Sequence, residues 1–188
     1  MYYITILMIK NVNQISEQAF LLDFGNEITK EINQNVLNTF YYISKKMRKD
    51  NFLGLKNCVP SYNKLLIHFH PSKKNKDELF NFINSIKISH VHSKNNVEEL
   101  EIPVCYDEEF ALDIQNVSKK TKINEDTIIK SHLSTKFFVY MIGFMPGLPF
   151  MGDLETNLSV SRLTTPRLRV PSGSVGIVEK FCVIYTNE

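Results

Sequence analysis

Apolar positions in the first half of the chain follow two distinct periods. Tyr2–Ile9 and Ala19–Phe24 are compact apolar runs separated by the polar stretch Lys10–Gln18, a pattern that predicts two strands. From Gly25-Asn26 onward, Ile28, Ile32, Val36, Phe40, Ile43 and Met47 recur three or four apart, which predicts one long amphipathic helix. Pro60 is followed by a strand over Lys64–His70. Its Leu65, Ile67 and Phe69 face one way, and Leu66, His68 and His70 the other. A second helix is expected to begin near Asn75, with Glu78 in a capping-box-like start and Leu79, Phe82, Ile83 and Ile86 as its buried stripe. This order, strand–strand–helix–strand–strand–helix, predicts a small sheet with both helices packed on one face.

The polar stretch Ser89–Asn96 reads as a linker, giving an α+β domain over residues 1–95 and a second domain over 96–188. In the second, a strand is expected at Glu101–Cys105 and short helices around Phe110–Ser118 and Asn124–His132. Five of the seven glycines and four of the seven prolines lie beyond residue 140. That density predicts a mostly β segment, a barrel or sandwich with fixed loop geometries.

Composition narrows the functional classes. An apolar share of 43% beside 22% charged residues is that of a folded globular protein. With 22 basic and 20 acidic residues there is no bulk charge to attract a polyanion, so nucleic acid is not expected as a partner. Cys58, Cys105 and Cys182 are scattered and odd in number, as befits reduced thiols in a cytoplasmic protein. Tyr2–Ile9 is too short to span a bilayer and lacks the basic start and cleavage site of a signal peptide, so no membrane association is expected. The chain contains no GxxxxGK[ST] phosphate loop, GxSxG elbow or HExxH helix. His68 and His70 form an HxH pair, but nothing of matching spacing accompanies them. His90 and His92 lie in the linker, and no metal site is expected.

The chemistry-bearing stretch is Phe137–Tyr185. Gly143-Phe144-Met145-Pro146-Gly147 breaks an apolar run with residues that permit positive φ and stiffen a turn. Val170-Pro171-Ser172-Gly173-Ser174-Val175 repeats the device, with Arg162 and Arg167 close by in sequence. Rigid turns bearing hydroxyls and N–H groups beside guanidinium forks suit carboxylate or phosphate recognition. Structural turns with surface arginines would carry the same residues.

The strings FFVYMIGFMPGLPFMGDL and SRLTTPRLRVPSGSVGI, followed by VIY, resemble the C-terminal domain of the allophanate hydrolase subunit 1 family. That family includes the 5-oxoprolinase B subunit and the inhibitor of a sporulation histidine kinase, and is related to one half of the carboxyltransferase domain of urea carboxylases. Weaker matches run upstream in order: Val59-Pro60-Ser61-Tyr62, Ile102-Pro103-Val104 with Tyr106, Asp113-Ile114, and Ser131-His132. Leu148 and Phe150 replace an aromatic residue and a tyrosine of the family pattern, Asp153 a common glycine, and Ser161 a proline. Family members continue past the position of Glu188 with a Ser-Pro-Gly-Gly-Trp segment and further strands, so the resemblance implies a truncated second domain.

The resemblance implies an α+β fold in which a small α+β N-terminal domain precedes a cyclophilin-like β-barrel, incomplete at its C-terminal end. It implies the B subunit of an ATP-dependent 5-oxoprolinase that opens 5-oxoproline to glutamate alongside a homologous C subunit and a separate A subunit. ATP would be used by the assembled complex, since no cofactor is evident in this chain, and no activity is expected of the chain alone. The residues expected at the site are His132 for proton transfer or orientation and Arg162 and Arg167 as anion clamps. Gly143, Phe144, Pro146, Gly147, Ser172, Gly173 and Ser174 would supply substrate contacts. The alternatives are an interaction module that inhibits a sensor histidine kinase, or a decayed remnant with neither function.

Overall fold

A computed structural model describes residues 9–48, 52–86 and 98–188. The chain divides into two compact units, Met1–Asn96 and Val97–Glu188.

In the first unit, strands β1 (Asn11–Ser16), β2 (Ala19–Asp23), β3 (Leu55–Pro60) and β4 (Lys64–Phe69) form one antiparallel sheet in the order β1-β2-β4-β3. Helix α1 (Lys30–Met47) links β2 to β3, and α2 (Lys73–Asn84) follows β4. The strand expected at Tyr2–Ile9 lies outside the described residues up to Met8. The polar stretch read as its connection is itself β1. The reason is position: among the described residues β1 is an edge strand, almost wholly exposed, whose backbone is satisfied by β2 on one side. An edge strand facing water needs no apolar alternation, so its sequence carries no strand period.

Two helix starts also differ from expectation. Gly25-Asn26 forms a turn, with the Asp23 carboxylate accepting from the Gly25 N–H at 2.8 Å, and α1 begins only after Thr29, whose hydroxyl accepts from the Ile32 N–H. Helix α2 is capped by Ser72, which accepts from the Asn75 N–H. Glu78 does not cap but makes an exposed i,i+4 ion pair with Lys74.

The apolar faces behave as their periods predict. Leu65, Ile67 and Phe69 of β4 are buried with Phe20 and Leu22 of β2, Val36 and Ile43 of α1, and Leu79 and Ile83 of α2. Each such side chain contributes roughly 1.5–3 kcal/mol by leaving water. The Phe20 and Phe69 rings stack with centroids 5.0 Å apart. Asn33, buried within α1, donates its amide to the carbonyls of Ser61 and Tyr62, which fastens the helix to the loop after β3. His68 and His70 are both exposed, and among the described residues no group of three His, Cys, Asp or Glu could hold a metal ion.

The second unit contains helices α3 (Ile114–Thr121) and α4 (Glu125–Ser134). Strands β5 (Phe138–Ile142), β6 (Pro149–Gly152), β7 (Val175–Val178) and β8 (Phe181–Ile184) form its sheet. They are antiparallel in the order β5-β6-β8-β7, so β5 and β7 are edges and the sheet is open. Residues 101–105, expected as a strand, join no ladder here. Ile102 is 55% exposed and Leu100, just before them, 80%, while Val104 is half-buried. Phe110 lies in a turn in which the Asp107 carbonyl accepts from the N–H groups of Phe110 and Ala111, so α3 starts later than its apolar spacing suggests. Asn124 caps α4 by accepting from the Thr127 N–H. Two helices and four short strands make this unit mixed rather than mostly β. Its core is small: Ile128, Leu154 and Leu158 cluster with half-buried neighbours, while Tyr140, Leu148, Met151 and Cys182 are buried around the sheet. Among the described residues no helix is long and apolar enough to cross a membrane.

Candidate functional site

Two glycine turns face each other across the end of β8. In the β5–β6 loop, the Leu148 N–H bonds to the Met145 carbonyl at 3.2 Å, with Pro146 second in the turn and Gly147 third at φ 79°. The Ser174 N–H bonds to the Pro171 carbonyl at 3.1 Å, with Gly173 third at φ 83°. A positive φ at the third position is what a type II turn requires, and glycine adopts it without steric cost. Thr186 ties the two turns together. Its hydroxyl donates to the Pro146 carbonyl at 2.7 Å, and its own carbonyl accepts from the Ser172 hydroxyl at 2.9 Å. Nothing in its sequence surroundings distinguishes Thr186, because a threonine after a strand is ordinary.

The polar groups expected to meet substrate largely hold these loops in shape. The Gly143 N–H bonds to the Leu148 carbonyl, the Gly173 N–H to the Tyr185 carbonyl, and the Tyr185 N–H to the Ser174 carbonyl. Phe144 projects from the loop, 84% exposed and at φ 69°, a backbone conformation that costs energy for any side chain with a Cβ. Asp153, where the family pattern carries glycine, also has positive φ, 70°. Its carboxylate accepts from the Tyr140 hydroxyl at 2.9 Å, and aspartate is among the few residues that tolerate this region.

His132 is held between two partners. Its Nδ1 lies 2.5 Å from the Tyr106 hydroxyl and its Nε2 3.7 Å from the Cys182 thiol, with the Phe137 ring beside it. Burial pushes the His132 pKa down and the Tyr106 pKa up, the latter helped by Cys182. Burial raises the Cys182 thiol to about 12. At neutral pH all three are uncharged, so the histidine has a neutral ring suited to passing a proton while the thiol is a poor nucleophile. In the sequence Tyr106 matches the family pattern without an evident role; the structure makes it the partner of His132.

Arg167 meets a carboxylate of its own chain. Its Nη1 and Nη2 donate to the two Asp113 oxygens at 2.5 and 2.6 Å. Hydrogen bonding to Arg167 holds the Asp113 carboxyl below its usual range and raises the guanidinium. Arg162 is exposed, as are its neighbours from Ser161 to Arg169. Apart from Arg162, the expected residues therefore fall into three groupings: the paired turns, His132 with Tyr106 and Cys182, and the Arg167–Asp113 pair. Strand β8 serves two of them, with Cys182 within it and Thr186 two residues past its end.

The model of the carboxyltransferase domain, subdomain C and D, matches residues 10–188. The chain belongs to this family. Its relatives include the 5-oxoprolinase B subunit of Bacillus subtilis strain 168, 29% identical over 181 residues, covering 88% of this chain and 72% of the relative. The protein of the same name from Haemophilus influenzae is 34% identical over 125 residues, covering 66% of this chain and 55% of the relative. Among solved structures, TTHA0988 superposes with a TM-score of 0.76 at 26% identity, over 89% of this chain and 32% of that one. Kluyveromyces lactis urea carboxylase shares the fold, with a TM-score of 0.67 at 17% identity, over 98% of this chain and 19% of that one. The chain thus spans just over half of the Haemophilus relative and about a third of TTHA0988.

Proposed function

We propose that this chain works as the B subunit of an ATP-dependent 5-oxoprolinase, in a complex with a homologous C subunit and a separate A subunit. The observation that carries this reading is the family match over residues 10–188, together with relatives named as 5-oxoprolinase B subunits. In the reaction the ring amide of 5-oxoproline is activated at the expense of ATP, water adds to the carbonyl carbon, the C–N bond breaks, and glutamate is released. Nothing in the sequence resembles a phosphate loop, so the nucleotide is assigned to the other subunits and the chain alone is expected to be inactive. We assign the open sheet β5-β6-β8-β7 to a cyclophilin-like barrel.

Within the site, Arg167 and Arg162 serve the carboxylate of 5-oxoproline. A guanidinium offers a planar fork of donors in the geometry that a carboxylate accepts. His132 serves proton transfer or orientation as a neutral imidazole next to the Tyr106 hydroxyl. The turns at Gly143–Gly147 and Ser172–Ser174, locked together by Thr186, present a preorganised rim from which Phe144 projects. Preorganisation matters because a group already in place loses no free energy to reorganisation during reaction.

Affinity capture tests the assembly. The tagged chain is expected to recover a C-subunit homologue from its native host. Recovery of a histidine kinase dimerisation domain in its place would overturn the enzyme-subunit reading in favour of the kinase inhibitor.

A further inference from the structure

We infer that Asp113 is a positioning residue for Arg167: its carboxylate sets the guanidinium plane and anchors the arginine-bearing loop to the start of α3. The inference rests on the reading of Arg167 as an anion clamp. Asp113 stands at the position before α3 where an aspartate ordinarily turns its carboxylate onto the first N–H groups of its own helix. Here it makes no such cap, and both oxygens go to Arg167 instead, 54 residues away in sequence. Asn116, in the first turn of the helix, also favours the ionised form of this carboxylate.

The loop needs such an anchor. Residues 161–169 are exposed throughout and none of them is buried; Leu168 is wholly in water. The loop's start is held where the Val160 carbonyl accepts from the Glu179 N–H, and Arg169 reaches Glu188 only at 3.8 Å on the surface. A two-point Arg–carboxylate contact fixes orientation as well as distance, which a single bond would not.

The pairing also leaves room for a ligand. A guanidinium carries five N–H groups, and Asp113 accepts from the edge formed by Nη1 and Nη2. The edge that includes Nε points to a different side of the same plane and is not used by Asp113, and the Arg167 side chain is 43% exposed. Asp113 thus orients the fork without filling it. An ion pair as exposed as this one adds little to global stability. Its loss should therefore be read at the loop and the ligand rather than in the melting temperature.

The test uses the assembled complex, with Asp113→Asn, Asp113→Glu, Arg167→Lys and the Asp113→Asn/Arg167→Lys double variant. Asp113→Asn is expected to raise KM for 5-oxoproline severalfold with kcat retained, Asp113→Glu to recover most of it, and the double variant to be no worse than Arg167→Lys alone. If Arg167→Lys raises KM while Asp113→Asn leaves it unchanged, the positioning role is overturned and the clamp reading stands. If neither variant moves KM, the clamp reading itself falls, and the inference with it. Trypsin supplies a readout on the chain alone: Asp113→Asn should quicken cleavage after Arg162, Arg167 or Arg169. An unchanged rate in a variant that melts like the parent would overturn the anchor.

Discussion

The two units are held together by different means. The first has a continuous core in which residues from two helices and three strands are buried against one another, from Phe20 to Ile83. In the second, the described buried side chains fall into smaller groups, Ile128 with Leu154 and Leu158, and Tyr140, Leu148, Met151 and Cys182 around the sheet, joined by bonds between loops: Thr186 to Pro146, Ser172 to Thr186, Asp113 to Arg167, Tyr106 to His132. Non-directional burial makes a stable scaffold but fixes no polar atom to within tenths of an ångström. Directional bonds do, at about 1 kcal/mol each. The residues expected to carry chemistry all lie in the second unit, where positions are set bond by bond.

The largest effect expected from this contrast is in the first unit. Phe69→Ala should cost roughly 3–5 kcal/mol, measured by urea denaturation, because a fully buried ring stacked on Phe20 leaves a cavity. A loss below about 1 kcal/mol would show that this core is not the scaffold described. In the second unit, Gly152→Ala is expected to cost about 1–3 kcal/mol. A Cβ there would sit 2.5 Å from the Tyr140 ring, itself buried by its neighbours. Thr186→Val should cost only about 1 kcal/mol, since it deletes one donor at an exposed site, yet it should loosen the Gly143–Gly147 loop. Hydrogen exchange at the Leu148 and Gly143 amides would report that loosening, and unchanged protection would mean that the turns hold without their tether.

The smallest effect is electrostatic. Burial lowers the His132 pKa, so between that value and the ordinary one near 6.5 the unfolded chain binds the extra proton. Stability from this group is therefore complete above about pH 6.5 and falls as the pH drops toward the native pKa. His132→Gln should remove that part of the acid dependence, which matched denaturation curves at pH 7 and pH 5.5 would show. An identical acid dependence in both proteins would contradict the burial of His132.

How much of this was legible in the sequence depended on whether a residue's role shows in its spacing. The stripes of α1 and β4 were readable because burial imposes a period on residue type, and Val36, Ile43, Leu65 and Ile67 obey it. Strand β1 was not, because an exposed edge imposes none. The starts of α1 and α2 were missed by a few residues because Thr29 and Ser72, not the apolar spacing, decide where each helix begins. In the candidate site, the glycine turns announced themselves by residue type. Their linkage through Thr186 and the pairing of Arg167 with Asp113 join residues tens of positions apart, and local sequence records no such contact. The Ser172 hydroxyl, expected to face substrate, instead donates to a backbone carbonyl, a choice set by a strand end 14 residues away.

Glutamate release by the reconstituted complex tests the central claim most directly. The purified A and C subunits are mixed with ATP and 5-oxoproline, and glutamate is followed with and without this chain. The account predicts no turnover by the chain alone and none by the other two subunits without it, with release appearing when all three are present. Robust hydrolysis by this chain alone, or no stimulation when it completes the mixture, would contradict the assignment.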